Sequence, residues 1–191
     1  MSANYFFHSL PLLDINLSNP FIKVLLPLAG IVIVFLLCKY KYHFSLTDDL
    51  QLRKPPMDQL FVWVAIALAW MLTTDYFMNW RGAFDFNPWR NQPLYVSVLR
   101  VLAVCFLGPI LEELIFRGLF YHRIHIKLRV NEWMTILILA ALWAVIHYTY
   151  PLPVIGVIFV EGLLLGAAVI KSKSLIVPIV MHICWNLYAI W

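Results

Sequence analysis

Glu112, Glu113 and Arg117 stand in one apolar run, Gly108-Pro109-Ile110-Leu111-Glu112-Glu113-Leu114-Ile115-Phe116-Arg117-Gly118. An ionisable side chain at membrane depth costs roughly 2.5–3.5 kcal/mol at a helix centre, so three in one stretch require a reason. On a helix, Glu113 precedes Arg117 by four positions, the favourable order for an ion pair. Glu112 lies about 100° round from Glu113 and faces another direction. Acid–base work in an apolar chamber needs a carboxylate that such a pair does not consume, and Glu112 is that carboxylate. The competing readings are a structural charge cluster that joins helices and the charge relay of a small transporter. A joining pair needs only one carboxylate, and a transporter is expected to show paired repeats and broken helices, which this sequence lacks.

Further polar groups stand on later apolar segments. The turn after the central stretch falls near Arg129 to Asn131, with Glu112 about 17 residues before it and His147 about 17 after. In an antiparallel hairpin of equal rise the two lie at one height. At ~1.5 Å per residue Glu112 is roughly 16 Å below Arg123, inside the bilayer. His182 and Asn186 are four apart and share a helix face. His182 sits roughly 12–14 Å from the turn at Lys171 to Lys173, a comparable depth. Glu112, His147, His182 and Asn186 are therefore expected to face one water-accessible chamber, opening toward the cytoplasmic leaflet. Plainer readings stand beside this one: His147 as an interfacial histidine, and His182 and Asn186 as interhelical hydrogen bonds worth ~0.6 kcal/mol each. His122 and His125 are expected in solvent or among headgroups. Gly162 and Gly166 are expected to form a close-packing helix face. Glu161 either pairs with Arg100 or Arg117 or lines the chamber.

The elements that must position these groups follow from composition. The chain has 191 residues, 63% hydrophobic and 13% charged, which specifies an all-α, polytopic membrane bundle of about six transmembrane helices. Spans are expected at about Phe21–Cys38, Leu60–Met78, Leu94–Lys127, Glu132–Tyr148, Val154–Ile170 and Leu175–Trp191. Residues 1–20 read as an interfacial lead-in without the pattern of a cleavable signal peptide. Trp80, Phe84, Phe86 and Trp89 read as interfacial aromatics. Cys38, Cys105 and Cys184 lie in apolar segments without a CxxC pair, so neither a disulfide framework nor a thiolate zinc site is indicated. The net charge of +4 comes from basic residues scattered over loops, so nucleic acid is not expected as a partner; the bilayer is. Lys39, Lys41, Arg53 and Lys54, then Arg123, Lys127 and Arg129, then Lys171 and Lys173 fall on alternate connections, against Lys23, Arg81 and Arg90 on the other side. That alternation puts the basic connections in the cytoplasm and both termini outside it, in a multi-pass protein of the inner (plasma) membrane.

Glu112-Glu113-xxx-Arg117, Trp143-xxx-His147 and His182-xxx-Asn186, in this order on three helices, resemble the three-motif signature of the CAAX protease and bacteriocin-processing (CPBP, or Abi) family. These are intramembrane glutamic endopeptidases related to type II CAAX prenyl proteases. The runs Phe159 to Gly166 and Ser174 to His182 are similar to the family's as well. The resemblance covers about residues 95–190, which divides the chain into residues 1–93, an interfacial segment with two helices, and 94–191, a catalytic core of four. Two positions depart: Trp143 stands where the family usually has phenylalanine, and Glu161 where an apolar residue is expected.

The resemblance implies hydrolysis of a peptide bond near the membrane interface of a membrane-bound protein or peptide. CAAX-type proteins, a peptide leader or a C-terminal sorting anchor all remain open as substrate. In that reading Glu112 is the general base that activates water, since a carboxylate in an apolar chamber is a stronger base than in solution. His147 shares and orients the water, and His182 and Asn186 donate to the tetrahedral oxygen. Glu113 and Arg117 support the site. No metal or other cofactor is expected; the alternative is zinc held by the carboxylates and histidines. The alternative function is a non-catalytic immunity or adaptor protein that keeps the fold.

Overall fold

The structure, a computed structural model, describes residues 19–83 and 91–190. The lead-in up to residue 18, the aromatics Phe84, Phe86 and Trp89, Arg90 and Trp191 lie outside the described residues.

Helix α1, Pro20–Lys41, starts where the Asn19 side chain accepts a hydrogen bond from the Phe21 N–H at 2.9 Å, with proline at the first helical position. Such a cap satisfies a donor that the helix leaves unpaired. The Pro55-Pro56 break precedes α2, Met57–Met78, which Asn79 ends in a left-handed conformation, φ 47°. α3 is the longest helix, Leu94–Lys127. It widens into π-helical turns at Leu102–Leu107, Leu114–Phe120 and His122–Lys127. Asn131 caps α4, Glu132–Ile146, through the Trp133 and Met134 N–H groups. α5 is Leu152–Ser172, ended by Lys173 at φ 53°, and α6 is Ile176–Ile190. The described residues contain no strand.

α1, α2, α3 and α5 are long and apolar enough to cross a membrane, and the protein is a multi-pass helical membrane bundle. α4 and α6 have 15 residues each, about 22 Å of helix against a hydrocarbon core of about 30 Å. The expectation that helix four runs to Tyr148 is corrected. It stops at Ile146, because His147 leaves helical geometry (φ −91°, ψ 22°) and a turn leads on to Pro151.

α4 and α5 pack closely, and two glycines set their approach. A Cβ on Gly166 would meet Ile136 Cγ2 at 2.6 Å, and one on Gly162 would meet Ala140 Cβ at 3.0 Å. This is the close-packing face that the sequence led us to expect. α2 packs on α5 and α6, and α1 on α3, so the N-terminal pair shares its apolar contacts with the later helices. Trp80 does not face the bilayer interface as expected. It is buried, stacks on Trp185 with ring centroids 4.9 Å apart, and donates to Thr74 Oγ1 at 3.1 Å. Its N–H finds the hydrogen-bond partner that a buried indole usually requires.

The basic connections meet at one end. Arg53 Nε donates to the Lys173 carbonyl at 2.7 Å, Ser174 Oγ to the Arg53 carbonyl at 2.7 Å, and the Leu175 N–H to the Gln51 carbonyl at 2.9 Å. Under them lies a buried apolar cluster of Val34, Cys38, Phe44, Leu50, Leu114, Leu119, Val169 and Leu175. His122 belongs to this end and is buried rather than solvated. Its ring packs on Phe44 with centroids 4.1 Å apart, and Nδ1 lies 3.6 Å from the Asp49 carboxylate. His125 Nδ1–H donates to the Val130 carbonyl at 2.8 Å. The loop folding back over α3 is what removes His122 from water.

Candidate active site

Trp143 on α4 stands between two polar groups contributed by α3, α4 and α6. Its indole Nε1–H donates to Glu112 Oε2 at 2.7 Å. Its backbone carbonyl, an acceptor only, takes the Nδ1–H of His147 at 2.7 Å. That bond fixes the tautomer: in a neutral ring the lone pair of His147 is on Nε2. The rings of Trp143 and His147 are 5.2 Å apart, edge to face. Glu112 is half-buried, its second oxygen is not among the buried unpaired atoms, and His147 is buried. The pairing of heights expected from the hairpin therefore takes a particular form, in which Trp143 binds Glu112 through its side chain and His147 through its backbone.

The second group is deeper in the protein. Glu113 is fully buried, and its Oε1 accepts from Arg117 at 2.9 Å and from His182 Nδ1–H at 3.0 Å. Arg117 also donates to the Gly162 carbonyl at 3.0 Å, and its guanidinium lies 4.9 Å from the Trp143 ring centroid. The i,i+4 ion pair is as the sequence placed it. His182 as the partner of Glu113 was not foreseen. His182 and Asn186 do share a face, and that face is turned to α3: Asn186 Nδ2 donates to the Val104 carbonyl at 2.8 Å, in the first π turn of α3. The Gly108 N–H pairs with the Ala103 carbonyl, five residues back, and Pro109 has no N–H to give, so the Val104 carbonyl is left for an outside donor. The Trp143 ring, 5.3 Å from that of His182, joins the groups.

Tyr150, in the turn after α4, escaped the sequence reading. Its ring stacks on His147 at 5.9 Å and 16°. Burial, and then the nearby Glu112 carboxylate, push its phenol well above the ordinary range. The available signal was an aromatic three residues past His147. Glu161 pairs with neither arginine: it is fully buried beside Arg117 and Glu113, and neither carboxylate oxygen has a hydrogen-bond partner. Arg100 instead lies near Lys23.

Among the described residues no three His, Cys, Asp or Glu side chains gather closely enough to hold a metal ion. Glu113 Oε1 is occupied by Arg117 and His182, and Glu112 Oε2 by an indole N–H. Leu50, Leu114 and Leu175 are fully buried and belong to the apolar cluster under the basic end.

A bundle of membrane helices with a carboxylate–histidine cluster carried on three of them defines a polytopic membrane protein built around buried polar chemistry. Residues 94–188, about half of the chain, match the family described as Rce1-like, type II CAAX prenyl endopeptidase Rce1-like. The chain belongs to this CAAX-type endopeptidase family. An uncharacterized 24.3 kDa protein of Escherichia coli is 23% identical over 160 residues, which is 80% of this chain and 73% of that protein. No solved structure matches the chain.

Proposed function

We propose that the protein is an intramembrane endopeptidase that hydrolyses a peptide bond of a membrane-associated protein or peptide by a glutamate-activated water. The observation that carries this reading is the bond from Trp143 Nε1–H to Glu112 Oε2. It holds one carboxylate oxygen in place and leaves Oε1 for a water. Glu112 takes a proton from that water as its oxygen adds to the scissile carbonyl carbon, and returns it to the amine nitrogen as the C–N bond breaks. His147, with its Nδ1–H held by a carbonyl, offers Nε2 to the same water. His182, anchored by Glu113 through Nδ1, serves the tetrahedral oxygen from its other ring nitrogen. Asn186 fixes α6 to α3, a positioning task, in addition to any donation to substrate. The mechanism needs no metal. Residues 94–191 are the catalytic part, and residues 1–93 support it. Inner (plasma) membrane location, with both termini outside the cytoplasm, completes the proposal.

The test is Glu112→Gln with a cleavable membrane-bound reporter and purified protein. Glutamine keeps the shape and can still accept from Trp143, but it cannot take a proton, so cleavage is lost while the protein still accumulates in the membrane. Normal cleavage by that variant sinks the proposal. Activity lost on chelation and restored by zinc replaces the metal-free mechanism with the zinc alternative.

A further inference from the structure

We propose that Tyr150 is a positioning residue for the reaction: its ring lies along the imidazole of His147 and holds Nε2 in the direction of the water that Glu112 activates. The inference rests on the endopeptidase reading above and adds a residue to its site.

The end of α4 builds the arrangement. A helix leaves its last carbonyls without partners of its own. Here the His147 N–H reaches back only to the Ala144 carbonyl, at 3.1 Å, and the Tyr148 N–H to that of Val145, at 3.1 Å. The Trp143 carbonyl, which the His147 N–H would take in a continued α-helix, accepts from the imidazole Nδ1–H at 2.7 Å instead. The chain then turns. Tyr148 and Thr149 are exposed, and Tyr150 comes back against the main buried cluster, its N–H donating to the His147 carbonyl at 3.0 Å. Pro151 follows and steers Tyr150 toward extended backbone, so the turn itself sets where the ring goes.

One hydrogen bond does not fix a ring. The bond at Nδ1 sets the tautomer, but the imidazole can still swing about the line of that bond and turn its Nε2 lone pair away. Two aromatic neighbours limit the swing. Trp143 meets the imidazole edge to face, with centroids 5.2 Å apart at 73°, and Tyr150 lies along it, at 5.9 Å and 16°. The Trp143 ring is tied to Glu112 through Nε1–H and stays with the carboxylate. Tyr150 is the support that comes from beyond α4. A water shared by Glu112 and His147 must lie near the line of the Nε2 lone pair, because hydrogen bonds weaken steeply away from it. An imidazole that swung freely would offer that geometry only part of the time, and the loss would fall on kcat rather than on substrate binding.

The experiment compares Tyr150→Phe, which keeps the ring, with Tyr150→Leu, which keeps only apolar bulk, in the purified full chain with the membrane-bound reporter. Tyr150→Leu is expected to lower kcat by about tenfold or more with KM little changed, and Tyr150→Phe to retain most of the parent's kcat. A parent-like kcat in Tyr150→Leu overturns the proposal. So does an equal loss in both variants, since the hydroxyl and not the ring would then matter. A second readout needs no cleavage. The Nδ1–H proton of His147, identified in NMR spectra by its loss from His147→Gln, is expected to exchange with water several-fold faster in Tyr150→Leu than in the parent or Tyr150→Phe. Equal exchange in all three overturns the proposal. Where Tyr150→Leu does not accumulate, Tyr150→Met carries both measurements. Normal cleavage by Glu112→Gln defeats the endopeptidase reading without touching the exchange rates, and parent-like exchange in Tyr150→Leu defeats the role of Tyr150 without touching that reading.

Discussion

At the scale of single residues, Trp143 does what a phenylalanine in its place cannot. Both rings fill the space between Arg117, His147 and His182, but only the indole donates to Glu112. A hydrogen bond to a charged group contributes about 1.5–3 kcal/mol, and here it also fixes the rotamer of the proposed base. Trp143→Phe is expected to accumulate normally, with kcat reduced by about tenfold or more and KM little changed, measured on the membrane-bound reporter. Unchanged kcat would show that the indole N–H has no part in holding Glu112. Glu113 answers to a different test. Glu113→Gln leaves Arg117 buried without its counter-charge, and breaking a buried pair costs about 3–5 kcal/mol. That variant is expected to lose thermal stability in detergent and to keep part of its activity, the opposite pattern to Glu112→Gln. Equal melting temperatures for Glu113→Gln and the parent would contradict the buried pair.

Between elements, the α4–α5 contact sets the position of the Trp143 ring relative to Arg117. Gly162 accepts from Arg117 through its carbonyl and leaves room for Ala140 and Trp143. Gly166 leaves room for Ile136. Overpacking a close contact costs about 1–3 kcal/mol. Gly166→Val is therefore expected to lower stability by that amount, and Ile136→Ala in the same chain to recover part of it. A double-mutant cycle read by thermal denaturation in detergent checks the coupling. Additive losses would place the strain elsewhere. The π turns of α3 have an equally local effect, because the one at Leu102–Leu107 presents the Val104 carbonyl to Asn186.

Across the whole molecule, the two ends differ in chemistry. The basic end is tied by side-chain-to-backbone bonds and filled by Leu50, Leu114 and Leu175; the other carries the short end of α4 and exposed Tyr148. Reporter fusions at Lys54, Arg129 and Lys173 are expected to read cytoplasmic, and an outside reading at two of them would overturn the topology. Leu50→Ala removes a fully buried side chain from the apolar cluster at the basic end. It is expected to cost about 2–5 kcal/mol as a large-to-small change in a packed site, measured as a lower melting temperature. A melting temperature equal to the parent's would contradict the close packing of Leu50 in that cluster.

The sequence by itself determined the bundle of membrane helices, the i,i+4 pair of Glu113 and Arg117, the glycine face of α5 and the family. Each of these depends on local spacing or on apolar content, which the chain carries in linear order. Tertiary structure alone decided which partner each polar group takes. A helix face fixes a direction, but the group met there belongs to another helix, whose rotation and depth are set by packing. So His182 meets Glu113, Asn186 meets a carbonyl freed by a π turn, and Trp143 meets Glu112 across 31 positions of sequence. The burial of Leu50 is the same kind of fact. The loop residue Leu50 has nothing in its neighbours to mark it as buried, and becomes so only because Gly118 and Leu175, far along the chain, leave a space that fits it.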